Sequence, residues 1–91
     1  MKTKKGFNLR TIVGEHIIVA EGRANIDFSN IINMNDTAAY LWKNVQNEPS
    51  FTVEKMAELL TEEYEVDYDT ALADAKQLAK QWAEAGIIEE D

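Results

Sequence analysis

Three observations predict the fold class of this chain. Apolar residues alternate as far as Met34, they fall at helical spacing from Ala38 onward, and Gly86 stands where a last helix would close. Together they predict an α+β, winged-helix-like fold, a three-stranded antiparallel sheet followed by three helices. The 91 residues suffice for a single domain with one modest core, and residues 1–5 and 89–91 are expected to be mobile.

The first strand is read over Phe7–Val13, where Phe7, Leu9 and Thr11 keep a period of two. Gly14-Glu15 is expected to turn the chain, with Gly at the position that needs positive φ. His16-Ile-Ile-Val-Ala20 then returns as the second strand, and Glu21 to Asn25 reads as a loop. Ile26, Phe28, Ile32 and Met34 share even spacing, which predicts a third strand with a bulge near Ser29-Asn30. Asn35 or Asp36 caps the first helix, in which Ala38, Leu41, Trp42 and Val45 fall at i, i+3, i+4 and i+7. Pro49, the only proline, marks the break after it. Thr52 caps the second helix, whose apolar face is Val53, Met56, Ala57, Leu60 and Tyr64. The third begins between Asp67 and Asp69 and runs to Ala85, with an apolar band of Ala71, Leu72, Ala75, Leu78, Ala79, Trp82 and Ala85. Ile87-Ile88 is expected to fold back onto the core.

Charge and composition exclude several functions. Residues 1–23 hold five Lys/Arg against two acids, a balance of +3, whereas residues 24–91 hold four against fifteen, a balance of −11. A helical half that acidic repels a phosphate backbone, and helix three carries only Lys76 and Lys80 against Asp69, Asp74 and Glu84, so no nucleic-acid partner is expected. With no cysteine there is no disulfide, thiolate metal site or Cys nucleophile, which fits a reducing, cytoplasmic setting. The longest aliphatic run, Ile17 to Ala20, is far too short to span a membrane. Lys2, Lys4 and Lys5 are followed by no apolar h-region, so a signal peptide is not expected either.

Candidates for chemistry are few. His16 is the only histidine and reads as a surface or edge imidazole, since no nucleophile or carboxylate set accompanies it in sequence. Glu65-Val-Asp67-Tyr-Asp69 has the alternate acids of a calcium loop, but Thr70 replaces the turn glycine and Lys76 the bidentate Glu. Acids at that place suit a helix start without a metal. Glu62 and Glu63 diverge around a helix and cannot share acid–base work. No cofactor is expected, and the chain reads as a binding module and not an enzyme.

Two features carry that binding reading. The third strand is an exposed edge if the strands form a meander, and its unpaired backbone groups can accept another chain. Helix three has a broad, Ala-rich apolar face that Leu78 and Trp82 would wall as a shallow trough. The plainer alternative is that helix three simply covers the sheet.

Taken in order, Met34-Asn35-x-Thr37-Ala38-x-x-Leu41-Trp42, then Thr52-Val53-x-x-Met56-x-x-x-Leu60-x-x-x-Tyr64, then Trp82-x-x-x-Gly86-Ile87-Ile88 resemble the PqqD family over about Phe7 to Ile88. These small proteins are associated with pyrroloquinoline quinone synthesis and, more widely, with ribosomally made, modified peptides. Members often end the first helix in Leu-Leu-Asp-Gly-like residues, where this chain has Asn44-Val-Gln-Asn47, a loop change that leaves the expected fold intact.

The resemblance implies a recognition element for the leader of a precursor peptide. The leader would dock as an added strand on the third strand, against the third helix, and be presented to a modifying enzyme, often a radical SAM protein. Carried to this chain, the strand residues are Ile26, Asp27, Phe28, Ser29, Ile31, Ile32 and Asn33. The helix residues are Ala71, Asp74, Ala75, Leu78 and Trp82. Asp74, with Asp69, would favour leaders bearing basic residues. The same edge allows a weak homodimer. The competing reading is a scaffold or acidic interaction module with no peptide ligand.

Overall fold

The computed structural model describes the backbone of residues 1–21 and 26–89, and the side chains of these except residues 21 and 26–31. Residues 22–25 of the expected loop, and residues 90–91, lie outside the described residues. A two-stranded sheet pairs β1 (Lys2–Thr3) with β5 (Ile88–Glu89). β2 (Phe7–Ile12), β3 (Glu15–Glu21) and β4 (Ile26–Met34) form an antiparallel sheet in the order β2-β3-β4. Three helices follow β4: α1 (Asp36–Val45), α2 (Val53–Glu63) and α3 (Tyr68–Ala85). The α+β architecture is the one expected.

Ile12 pairs with Glu15, so the hairpin turns on Val13-Gly14 and not on Gly14-Glu15. Both turn residues have positive φ, 51° at Val13 and 80° at Gly14. That mirror-image turn suits the right-handed twist of the hairpin and outweighs the reluctance of a β-branched residue to enter this region. Val13 is 98% exposed, so its apolar side chain marks the tip and not the end of a strand face.

β3 is the central strand, and Ile17, Ile18 and Val19 are buried on both of its faces. His16 therefore lies on no edge. Its Nδ1 is 3.0 Å from Thr11 Oγ1 and its Nε2 is 2.9 Å from Asp36 Oδ1. In β4, Ile32 pairs with Ile18 and Asp27 with Ala20, leaving residues 28–31 opposite Val19 alone. This irregularity spans the bulge expected at Ser29-Asn30.

The helix starts follow their caps. Asn35 Oδ1 accepts from Ala38 N–H at 2.8 Å, and Thr52 Oγ1 accepts from Lys55 N–H at 3.1 Å. Asp67 caps α3 without a side-chain bond, and Gly86 closes the helix in the left-handed region at φ 78°. All four expected core positions of α1, Ala38, Leu41, Trp42 and Val45, are buried. Of the expected positions on α2 and α3, Val53, Leu72 and Leu78 are half-buried, while Tyr64 is 38% exposed beyond the end of α2 and Ala85 faces solvent. Leu59 takes a core place instead. One cluster joins Ile18 and Met34 to the helices and to Ile87 and Ile88.

Within the two end segments, Lys2 to Lys4 and Glu89 take part in backbone pairing. Lys2 pairs with Glu89 and Thr3 with Ile88, and Lys4 N–H donates to the Ile87 carbonyl at 3.0 Å. The cause is the burial of Ile87 and Ile88, whose main-chain groups need partners once removed from water.

Candidate functional site

Among the described residues neither outer edge of the three-stranded sheet is paired, so β4 is an edge strand as the meander requires. The backbone of Ile26, Asp27, Phe28, Ser29 and Ile31 lies in β4, and their side chains lie outside the described residues. Ile32 is half-buried against the core, and Asn33 is exposed.

The expected trough on α3 is corrected. Ala71 and Ala75 are fully buried and Trp82 is 3% exposed, so none of the three lines an open surface. α3 packs chiefly against α2. Trp82 meets Trp42 of α1 edge-to-face, with ring centroids 5.4 Å apart and planes at 87°. The indole N–H of Trp42 has no acceptor among the described residues.

What remains open on α3 is a neighbouring stripe. Asn35, Thr37, Asp74, Gln77, Leu78 and Gln81 line a hollow of about 320 Å³. Its four α3 members stand at i, i+3, i+4 and i+7, one face of a helix. Leu78 is half-buried and packs on the core, whereas Asp74, Gln77 and Gln81 are exposed. Asn35 and Thr37 come from the junction at which β4 hands over to α1. Of the expected helix residues, Asp74 and Leu78 line this hollow. Gln77 and Gln81 were missed because only the apolar and charged letters of α3 were followed, and Asn35 and Thr37 because they read as the cap and start of α1. The i, i+3, i+4, i+7 spacing of Asp74, Gln77, Leu78 and Gln81 was the available signal.

A second hollow, about 440 Å³, lies on the other side of Asn35, lined by Gly14, Glu15, His16, Asn33, Met34, Asn35 and Asp36. Its Thr11–His16–Asp36 chain has the residue types of a nucleophile–base–acid trio. The Asp36 side chain is 90% exposed, however, so water competes for its carboxylate and no buried charge orients the imidazole. The trio is a clasp joining β2, β3 and α1. Among the described residues no three His, Cys, Asp or Glu side chains gather as metal ligands, and no helix is long and apolar enough to cross a membrane.

Comparison with known proteins adds two findings. A sequence model of the family described as coenzyme PQQ synthesis protein D (PqqD) matches residues 15–88. The solved structure "TbiB1 in Complex with the TbiA(beta) Leader Peptide" is similar over 100% of this chain and 98% of that one, with TM-score 0.76 and 15% identity. At that identity the likeness carries the fold, a three-stranded sheet with three helices. No curated protein matches the chain.

Proposed function

Because this chain belongs to the PqqD family, we propose that it is a non-catalytic chaperone that captures the leader of a ribosomally made precursor peptide and presents it to a modifying enzyme. The observation that carries the reading is the unpaired edge of β4, whose end leads through Asn35 into the hollow along the open stripe of α3. A structurally similar protein was solved with a leader peptide, which agrees with this use of the fold.

An extended peptide laid along β4 satisfies its backbone on the edge, each hydrogen bond contributing about 0.5–1.5 kcal/mol net. Alternate side chains then face Ile32 and Leu78, where each well-buried aliphatic group adds about 1.5–3 kcal/mol before ordering costs. The main chain holds any strand-forming peptide, and the hollow beside α3 discriminates among them. The modifying enzyme, a radical SAM protein in this reading, acts on the peptide beyond the docked segment. The encounter takes place in the cytoplasm, where such precursors are made.

Neighbouring residues of a strand send their N–H groups to opposite edges. Of Ile32→Pro and Asn33→Pro, one therefore removes an outward donor and the other breaks the ladder to β3. Titrating labelled protein with precursor peptides encoded beside its gene should move the β4 and α3 amides. The outward-donor variant should stay folded and lose the peptide; full binding by that variant would refute strand addition.

A further inference from the structure

We infer that the hollow between the start of α1 and α3 is a one-residue subsite for a lysine or arginine side chain of the captured peptide, an inference that rests on the capture reading above. The hollow has an apolar wall and a polar rim. Leu78 supplies the wall, half-buried and backed by the core. Asp74, Asn35, Thr37, Gln77 and Gln81 supply the rim. At about 320 Å³ it has room for roughly ten waters, enough for a long side chain that leaves some water in place.

The rim selects the chemistry of the occupant. Asp74 is the single formal charge among the six lining residues. By helical rotation Lys76 stands about 160° and Lys80 about 120° round α3 from Asp74, so neither shares its stripe, and Lys80 flanks it on the Gln77 side. The wider field has the same sign, with fifteen acids against four Lys/Arg over residues 24–91. An acidic side chain is repelled there. A purely apolar one covers Leu78 but strips water from Asp74 and the amides without replacing it. A Lys or Arg lays its methylene stem on Leu78 and brings its cation to the carboxylate, to the amide oxygens of Gln77 and Gln81 and to the Thr37 hydroxyl oxygen. Asn35 already spends its amide oxygen on the Ala38 N–H, so it offers the occupant an amide NH₂ that suits the peptide backbone better than the cation.

The test is a selection of random displayed peptides against the whole protein and against Asp74→Asn and Asp74→Lys, whose melting temperatures are checked against the parent's. Selected peptides are then titrated into labelled protein. The parent should enrich strand-forming peptides with Lys or Arg at one fixed position, and replacing that residue by norleucine should weaken binding about tenfold. Asp74→Asn should erase the preference, and Asp74→Lys should turn it toward Asp or Glu. Peptides that shift the β4 amides but share no cationic position would overturn the subsite and leave capture standing. A selection yielding no peptide that shifts those amides would overturn capture, and the subsite with it.

Discussion

Trp82→Ala separates core from groove on α3. Trp82 is 3% exposed and stands edge-to-face with Trp42 at 5.4 Å. Truncating a buried Trp costs about 3–5 kcal/mol, of which the aromatic pair accounts for about 0.5–1.5 kcal/mol. A domain of this length is stable by about 5–14 kcal/mol, so the change removes a large fraction of the total. At about 4–8 °C per kcal/mol, the melting temperature should fall by about 12–40 °C. Leu78→Ala is the control on the open stripe: half-buried, it should cost about 1 kcal/mol, and its loss should appear as weaker peptide binding. Thermal melts followed by circular dichroism, with titration of one peptide at a temperature where all variants are folded, measure both. A Trp82→Ala protein that melts with the parent but no longer binds peptide would place Trp82 on the docking surface and refute its assignment to the core.

Two further outcomes follow from local geometry. Val13 is held at φ 51° with its side chain 98% exposed, so Val13→Asn gives up no packing and relieves the turn. It should stabilise the protein by about 1 kcal/mol in urea denaturation, and a lowered midpoint would refute strain at the tip. Burial raises the Tyr40 phenol above its ordinary value near 10, with Glu63, Glu62 and Tyr64 adding to the shift. The folded state disfavours ionisation, so this contribution is complete below about pH 10 and is lost as pH rises through the raised value. Stability above pH 10 should fall more steeply for the parent than for Tyr40→Phe; parallel curves would remove Tyr40 as the cause.

Where one physical effect dominates, the sequence was readable. The caps Asn35 and Thr52, the closing Gly86 and the buried stripe of α1 are local chemistry, and they lie where the letters put them. The hairpin turn was misplaced by one residue because Val13 looks like strand, and only the pairing of Ile12 with Glu15 shows that twist overrode preference. On α3 the apolar letters formed a band too wide for one contact. Which part of it faces α2 depends on tertiary packing, and no spacing rule contains that. Ala71, Ala75 and Trp82 went inward, and the polar stripe beside them stayed open. The tie between β1 and β5 pairs residues near opposite ends of the chain, a contact invisible to any window of local sequence.

A three-stranded sheet offers two edges, and the proposed capture uses one. β2 carries Arg10 and follows Lys4 and Lys5, and the hollow at its start is lined by Lys4, Lys5, Asn8, Gln46 and Asn47 among others. Charges so placed are a common means of keeping an edge from pairing. Residues 26–34 contain one charge, Asp27, and no Lys, Arg or Pro. A strand added at β4 also gains Ile32 and Leu78, whereas the one large apolar side chain lining the β2 hollow, Phe7, stands among Lys4, Lys5 and Asn8. The irregularity at residues 28–31 bears on the same choice. Two copies of this edge pairing with each other need long, straight, matched ladders, which a bulge on each strand interrupts. A flexible peptide has no such constraint and follows the bend. The bulge therefore disfavours the homodimer more than it disfavours capture. It also shortens the regular ladder available to any peptide, so more of the discrimination must fall on the side chains that meet α3.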